Sequence, residues 1–312
     1  MKSRRVLTVT LNPAVDRLLK IPGFRAGGEF LHREECLSAG GKGINVSRAL
    51  EVLGVETLAA GLAGGAAGDL IRAELFREKI PCEFVGLSGS SRTNLTVMSE
   101  RGRLTRILES GPSVNRRELE AFFEMFRRRL AGCAWAVFSG RGLAGAGADV
   151  YARLIRIANR AGVKTALDAS GPELVEGLSA SPHLLKINIK EAGEGLGQRL
   201  DSRTAAKSAL VEIRARCSGP AVITLGSRGA VGGDDDGIWW AAPPRIRSRN
   251  NVGSGDAFLA GFIAADLAGS DLRKCLVWAT ACGAANAMGI QPGAIDKKVV
   301  KELKSRVTIS EI

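Results

Sequence analysis

The chain has 312 residues, 45% hydrophobic and 24% charged, a length and balance that suit one large α/β domain with a sizeable core. Its net charge of +12 raises nucleic acid as a partner. However, Lys and Arg are spread along the chain, the run Arg127-Arg128-Arg129 closes an amphipathic segment, and an anionic small substrate explains the sign as well. With six cysteines in no CxxC pair and no apolar run near the ~18 residues of a membrane span, the expectation is a reduced, cytoplasmic protein without nucleic-acid or membrane partners.

The basic start, Met1 to Arg5, leads into a β-rich run at 6–11 that stops at Asn12-Pro13. Segments 17–21 and 30–37 form a predicted hairpin set apart from the main layers, with Pro22, Gly23, Gly27 and Gly28 between them. A helix at 44–53, a strand at 57–62, a helix at 69–79 and a strand at 83–87 follow. A second hairpin, 94–99 and 103–108, surrounds Glu100-Arg101-Gly102. Beyond it helices at 116–130, 149–161 and 204–216 alternate with strands at 134–138, 164–167, 184–187 and 221–225. A hairpin around 232–240, closing helices at 253–268 and 272–288, and a terminal helix at 297–307 end the chain. This alternation predicts a doubly wound, mainly parallel sheet with helices on both faces. Neither early hairpin has apolar residues enough for its own core. They are expected to pair as a small lid, at about 12–38 and 92–108, over the carboxyl edge of the sheet in a single domain spanning 1–312.

The chemistry centres on Asn250-Asn251-Val252-Gly253-Ser254-Gly255-Asp256. Gly253 and Gly255 let the backbone turn sharply and approach a ligand. The helix they open leaves amides without partners, and its dipole attracts an anion. Asp256 beside such a seat is what phosphoryl transfer needs: a base for the attacking hydroxyl and donors for the charge in flight. An ordinary capped helix start is the competing reading. A second loop, Gly40-Gly41-Lys42-Gly43-Ile44-Asn45, also puts amides and a cation at a helix start, though it is not a Walker loop. Asn188 and Glu191 face the same way at a helix start and can hold Mg²⁺ through water, although Glu in a first turn is common for dipole reasons alone. Thr224-Leu225-Gly226-Ser227-Arg228-Gly229 could pass the backbone under a nucleotide, or form a simple turn.

One rival remains. Gly140-Arg141-Gly142-Leu143-Ala144-Gly145 matches GxGxxG after a predicted strand, and the next strand ends at Asp168, near the place of a ribose-binding acid. It implies an NAD-binding oxidoreductase but leaves the loops at 40, 188 and 253 without roles. Only His32 and His183 exist, with no HExxH and no GxSxG, against a histidine metal site or a serine triad.

Thr10-Leu11-Asn12-Pro13-Ala14-Val15-Asp16, the Gly-Gly-Lys-Gly-Ile-Asn loop, Ser91-Arg92-Thr93-Asn94, Lys186-Ile187-Asn188 with Glu191, Thr224-Leu225-Gly226 and Gly253-Ser254-Gly255-Asp256 occur in order along the chain. Together they resemble the PfkB (ribokinase-like) sugar kinases, and most of all the branch of 1-phosphofructokinase and tagatose-6-phosphate kinase. The two hairpins, with apolar residues but no core of their own, suggest a homodimer paired through the lid. The resemblance implies a ribokinase-like α/β fold with a β lid, and ATP with Mg²⁺ acting on a sugar phosphate, D-fructose 1-phosphate first and tagatose 6-phosphate or fructose 6-phosphate next. It makes Asp256 the base and Gly253, Ser254 and Gly255 the anion hole. Asp16, Gly40, Gly41 and Asn45 would then hold the sugar hydroxyls, with Ser139 and Arg141 also at the substrate and Lys42 and Arg92 on its phosphate. Lys186, Asn188, Thr224, Gly226, Ser227, Gly229 and Asn286 would line ATP, and Asn188 and Glu191 would position Mg²⁺. The chain departs from the family pattern at Arg141-Gly142-Leu143-Ala144, at Asn251 and at Ile187. A sugar-phosphate sensor without turnover is the non-enzymatic alternative.

Overall fold

The computed structural model describes residues 5–100 and 103–312. Residues 1–4 and Arg101 and Gly102, the last two part of the stretch expected to link the second hairpin, lie outside them. Arg5–Thr10 (β1) is a run of Val, Leu and Thr buried on both faces, as a central parallel strand requires. The chain leaves the main layers through Ala14–Lys20 (β2) and Glu34–Gly40 (β3), then returns in Lys42–Leu53 (α1), which Gly54 closes in the left-handed conformation. Thr57–Ala63 (β4), Gly65–Arg77 (α2) and Cys82–Gly86 (β5) follow. A second excursion, Arg92–Met98 (β6) and Leu104–Leu108 (β7), precedes Arg116–Leu130 (α3), whose start is fixed by a capping box of Asn115 and Glu118. Cys133–Ser139 (β8), Val150–Arg160 (α4), Lys164–Asp168 (β9), Pro172–Leu178 (α5), Leu184–Asn188 (β10) and Ile189–Leu196 (α6) continue the alternation. Arg203–Arg214 (α7) leads to Ala221–Thr224 (β11), and Ala230–Gly233 (β12) and Ile238–Ala242 (β13) form a hairpin. Ser254–Leu267 (α8), Leu272–Met288 (α9), Lys297–Lys304 (α10) and Thr308–Glu311 (β14) end the chain.

Among the described residues the main sheet has ten strands, in the order β14-β13-β12-β11-β10-β9-β8-β1-β4-β5. Every neighbouring pair from β5 to β11 is parallel, and β12, β13 and β14 add antiparallel edges. One face buries Phe122, Phe126, Tyr151 and Leu210 of α3, α4 and α7. The other buries Leu50, Phe258, Leu276 and Leu303 of α1, α8, α9 and α10. The doubly wound prediction therefore holds. The strand order reverses at β1, which lies between β4 and β8, so a crevice opens beyond the carboxyl end of β1.

The two excursions form a separate four-stranded sheet, β3-β2-β6-β7, in which β2 and β6 pair in parallel. This is the expected lid, with two adjustments. Its first hairpin begins at Ala14, directly after Pro13, because Val15 and Ala39 pack with Ile44, Ile71 and Leu75 and so draw the strands down to the main layers. Phe30, expected in a strand, lies in the loop against Phe24 instead. Sequence reading also missed α5 and β14, the latter a four-residue, largely exposed strand held by pairing with β13.

Candidate active site

The crevice beyond β1 collects loops from both halves of the chain. α8 is capped at its start by Gly253, whose φ of 80° is left-handed, and a Cβ there would meet Gly293 N and Pro292 Cβ at 2.8 Å. Only glycine fits such a turn without strain. A Cβ on Gly255 would sit 2.7 Å from Lys186 Nζ, so the bare backbone lets that ammonium approach the helix start. Asp256 falls in the first turn and is 5% exposed. Its Oδ2 accepts a 2.8 Å hydrogen bond from Asn45 Nδ2 of α1, which brings the loops at 40 and 253 together. Asn286 is buried in α9. It donates to Val252 O (2.8 Å) and Ser254 Oγ (3.1 Å) and accepts from Gly293 N (2.7 Å). Its amide thus braces the glycine turn from behind.

Opposite α8 lies a cluster of charges, buried at Asp168 and Lys186 and half-buried at Lys42. Asp168, at the end of β9, is fully buried; Oδ1 accepts from Lys42 Nζ at 2.9 Å and Oδ2 from Lys186 Nζ at 2.7 Å. Lys42 Nζ also lies 3.6 Å from Glu191 Oε1. Burial opposes the charged forms here. The two ammonium groups outweigh it for Asp168 and hold its carboxyl below the usual range. For Lys42, burial is outweighed by Asp168, Glu191 and Asp256, so the ammonium is held above its ordinary pKa. Asp256 goes the other way. Burial and the neighbouring Asp168 carboxylate push it up to about 6, against the pull of Lys42, Lys186 and the Asn45 hydrogen bond. A carboxylate poised there suits general base work near neutral pH.

Asp168 is the site residue that sequence reading did not place, having read it only as a ribose acid in the dinucleotide rival. That rival lacks the helix it needs directly after the motif, because α4 opens at Val150, five residues beyond the motif's last glycine. The helix start that does touch the loop, α5, presents the Glu173 carboxylate, which accepts from Gly142 N at 3.3 Å. Ser139 is 1% exposed and its Oγ has no partner, while Gly140 N donates to Asp168 O at 3.0 Å. Arg141 is exposed on the same loop.

The lid contributes Asp16 and Arg92. Asp16 Oδ1 accepts from Asn94 Nδ2 at 2.8 Å. Burial raises its carboxyl pKa despite Asn94, Arg106, Arg92 and Arg48. The carboxylate lies directly on Gly40, where a Cβ would overlap it. Arg92 is half-buried and spends three donors on carbonyls, Nε and Nη2 on Asn12 O (3.3 and 3.1 Å) and Nη1 on Glu109 O (3.1 Å). Burial and the nearby Arg106 and Arg141 lower its pKa, with Asp16 and Glu109 opposing.

On the nucleotide side, Asn188 caps α6. Its Oδ1 accepts from Lys190 N and Glu191 N, and Glu191 Oε2 accepts from Asn188 N. Thr224 Oγ1 donates to Ile187 O at 3.4 Å, and the turn from Gly226 to Gly229, which follows β11, carries an exposed Ser227. The structure thus gathers Asp16, Gly40, Gly41, Lys42, Asn45, Ser139, Lys186, Asn188, Glu191 and the 253–256 loop around one crevice. Lys42 points to Asp168 and Glu191, between the lid and the nucleotide-side residues.

A model of the pfkB family of carbohydrate kinases matches residues 25–295. The tagatose-6-phosphate kinase of Staphylococcus epidermidis (strain RP62A) is 31% identical over 98% of this chain and 100% of its own length. Phosphofructokinase-2 from Escherichia coli, solved in complex with potassium, superposes with a TM-score of 0.91 at 26% identity, covering 97% of this chain and 98% of that one. The tetrameric inhibited form of that enzyme gives 0.90 at the same identity and coverage. The ribokinase-like fold, the order of the motifs and these matches agree, and the chain belongs to the PfkB family of carbohydrate kinases.

Proposed function

We propose that the protein transfers the γ-phosphoryl group of ATP to a phosphorylated ketohexose, converting D-fructose 1-phosphate to fructose 1,6-bisphosphate. The observation that carries this reading is the buried Asp256 on the first turn of α8, behind a glycine turn and facing Lys42 and Lys186 across the crevice. In this mechanism Asp256 accepts the proton of the acceptor hydroxyl as the oxygen forms its bond to the γ-phosphorus. The bond from that phosphorus to the β-bridging oxygen breaks, and ADP leaves. The amides of 253–255 and the Lys186 ammonium group stabilise the negative charge on the group in transfer. Lys42, first expected on the sugar's phosphate, is held by Asp168 and Glu191 and adds its charge to the same region instead. Asp16, Gly41 and Asn45 orient the sugar hydroxyls, and the Arg92 guanidinium meets the phosphate already on the sugar, for which its planar fork is suited.

Mg²⁺ fits this site only in part-hydrated form. Among the described residues no cluster of three or more His, Cys, Asp or Glu side chains exists, and both Asp168 oxygens are held by lysines. Glu191, with Asn188 beside it, would hold the ion through water, the usual mode for Mg²⁺ bound mainly by nucleotide phosphates. When bound it supplies charge neutralisation on those phosphates. The enzyme is further read as a cytoplasmic homodimer joined through its lids, which leave Leu31, Ile107 and Leu108 largely exposed on the single chain.

A second reading, a 6-phosphorylated ketohexose such as tagatose 6-phosphate or fructose 6-phosphate, draws support from the 31% identical relative. Coupled ADP release over fructose 1-phosphate, tagatose 6-phosphate, fructose 6-phosphate and free fructose tests both. Fructose 1-phosphate with the highest kcat/KM supports the first reading. A 6-phosphate in that place supports the second, and free fructose in that place removes both.

A further inference from the structure

α1 carries a second basic residue into the interior, one turn beyond Asn45. Arg48 is 6% exposed, and each of the five N–H donors of a guanidinium finds an acceptor. Nε and Nη2 reach Glu78 Oε2 and Oε1 at 2.7 and 3.1 Å, and Nη2 also reaches Ala39 O at 2.7 Å. Nη1 reaches Pro292 O at 2.8 Å and Asn45 Oδ1 at 2.9 Å. A buried ion pair is a poor device for stability alone, since desolvation offsets most of the attraction.

The contact with Asn45 gives this one a different use. The two ends of an Asn amide have nearly the same shape, so only hydrogen-bond partners decide which end faces which neighbour. A guanidinium can only donate, so Asn45 must turn Oδ1 toward Arg48. Its Nδ2 then faces Asp256 and can only donate there. Flipped, the amide would set an oxygen against the Asp256 carboxylate. Arg48 also touches the lid strand at Ala39, next to the Gly40 on which the Asp16 carboxylate lies. It touches the loop at Pro292, next to the Gly293 that Asn286 links to Ser254.

We propose that Arg48 is a positioning residue for phosphoryl transfer. It fixes the Asn45 amide so that one N–H holds one oxygen of Asp256 and leaves the other for the acceptor hydroxyl, and it ties that alignment to the seating of the lid strand β3. The inference rests on Asp256 being the base. The charged groups facing Asp256 are Lys42 from α1, Asp168 from β9 and Lys186 from β10, and none of them is altered by the test.

Arg48→Met and Arg48→Lys are compared with wild type and with Asp256→Asn for melting temperature, kcat, KM for each substrate, and the pH dependence of kcat/KM. Arg48→Met is expected to lower kcat about ten- to a hundredfold, the range for losing a hydrogen bond to a charged group, with KM for ATP unchanged. The acid limb of its profile moves to higher pH, because a carboxylate without its N–H donor binds a proton more tightly. Arg48→Lys, which keeps a cation with three donors, recovers part of kcat. Should Arg48→Met fail to fold, Glu78→Gln, which keeps the shape but not the anchoring charge, must show a smaller shift in the same directions. A folded Arg48→Met, or in its absence Glu78→Gln, with wild-type kcat and an unmoved acid limb overturns the positioning role while Asp256→Asn stays inactive. Wild-type turnover by Asp256→Asn removes the base itself.

Discussion

Asp256 is a buried carboxyl whose proton affinity is raised to about 6 by burial and by Asp168. Asp256→Asn should keep the Asn45 hydrogen bond and ATP affinity and lower kcat by ~10²–10⁴, the usual size for a positioned general base; turnover above half of wild type would contradict the assignment. The wild-type kcat/KM for the sugar should fall as pH drops below about 6, where the base is protonated. The stability effect has the opposite sense. The folded pKa exceeds the unfolded value of 3.8, so the folded state binds this proton more tightly. Its unfavourable ionised form is fully present above about 6 and gone below 3.8. Asp256→Asn should therefore melt no lower than wild type at pH 8, which a thermal scan beside one at pH 4 checks. Arg92→Ala removes one charge-assisted contact, worth ~1.5–3 kcal/mol, and should cut kcat/KM for fructose 1-phosphate about ten- to a hundredfold with the KM for ATP unmoved. An equal penalty on free fructose would show that Arg92 does not read the phosphate. The residues legible in the sequence were those in glycine-rich loops, where composition itself marks the turn. Asp168 and Arg48 carry no such mark. One is a lone acid closing a strand, the other a basic residue in a helix whose Ile44, Val46 and Leu50 show the usual apolar spacing, and what sets them apart is tertiary. Asp168 meets lysines 126 and 18 residues away, and Arg48 is anchored by Glu78, 30 residues away, against Asn45 on its own helix.

At the scale of elements, the alternation of apolar runs and amphipathic helices announced the parallel sheet and its two covered faces, because burial on both sides leaves an unbroken hydrophobic signal. β14 escaped notice because Thr308–Glu311 is short and largely exposed, and its pairing with β13 comes from packing, not from its own pattern. The lid strands were legible as hairpins, but the start of β2 was not, since Pro13 reads as a stop and the pull of Ile44 and Ile71 on Val15 is tertiary. The close fit between β3 and β2 at the site gives a sharp test. Gly40→Ala places a methyl where the Asp16 carboxylate lies. The side chain must swing away, so the KM for the sugar phosphate should rise at least tenfold while the melting temperature and the KM for ATP change little. An unchanged sugar KM would show that Asp16 does not hold the substrate.

The whole molecule carries a net charge of +12, and two of its cations, Lys42 and Lys186, meet on Asp168 in one crevice. Its six cysteines are all unpaired, so reducing agent should leave its melting temperature unchanged. No helix among the described residues is long and apolar enough to cross a membrane. The lid gives the outer surface its exposed Leu31, Ile107 and Leu108. Light scattering at tens of micromolar should report a dimer, and Ile107→Glu with Leu108→Glu should shift the mass toward the monomer. A fully active wild-type monomer would be the contrary result.

The lid's pairing pattern also dictates an order of events in folding. β2 and β6 run parallel with Ala14 opposite Arg92 and Lys20 opposite Met98, so the two hairpins meet only after α1, β4, α2 and β5 have brought their roots together. Non-local pairing of this kind bears the entropy of a long loop unless the intervening chain has already condensed. The lid sheet should therefore assemble last and open first. Substitutions along the β2–β6 seam, such as Val97→Ala, should leave the refolding rate almost unchanged and speed unfolding, a split that stopped-flow fluorescence in denaturant would read directly.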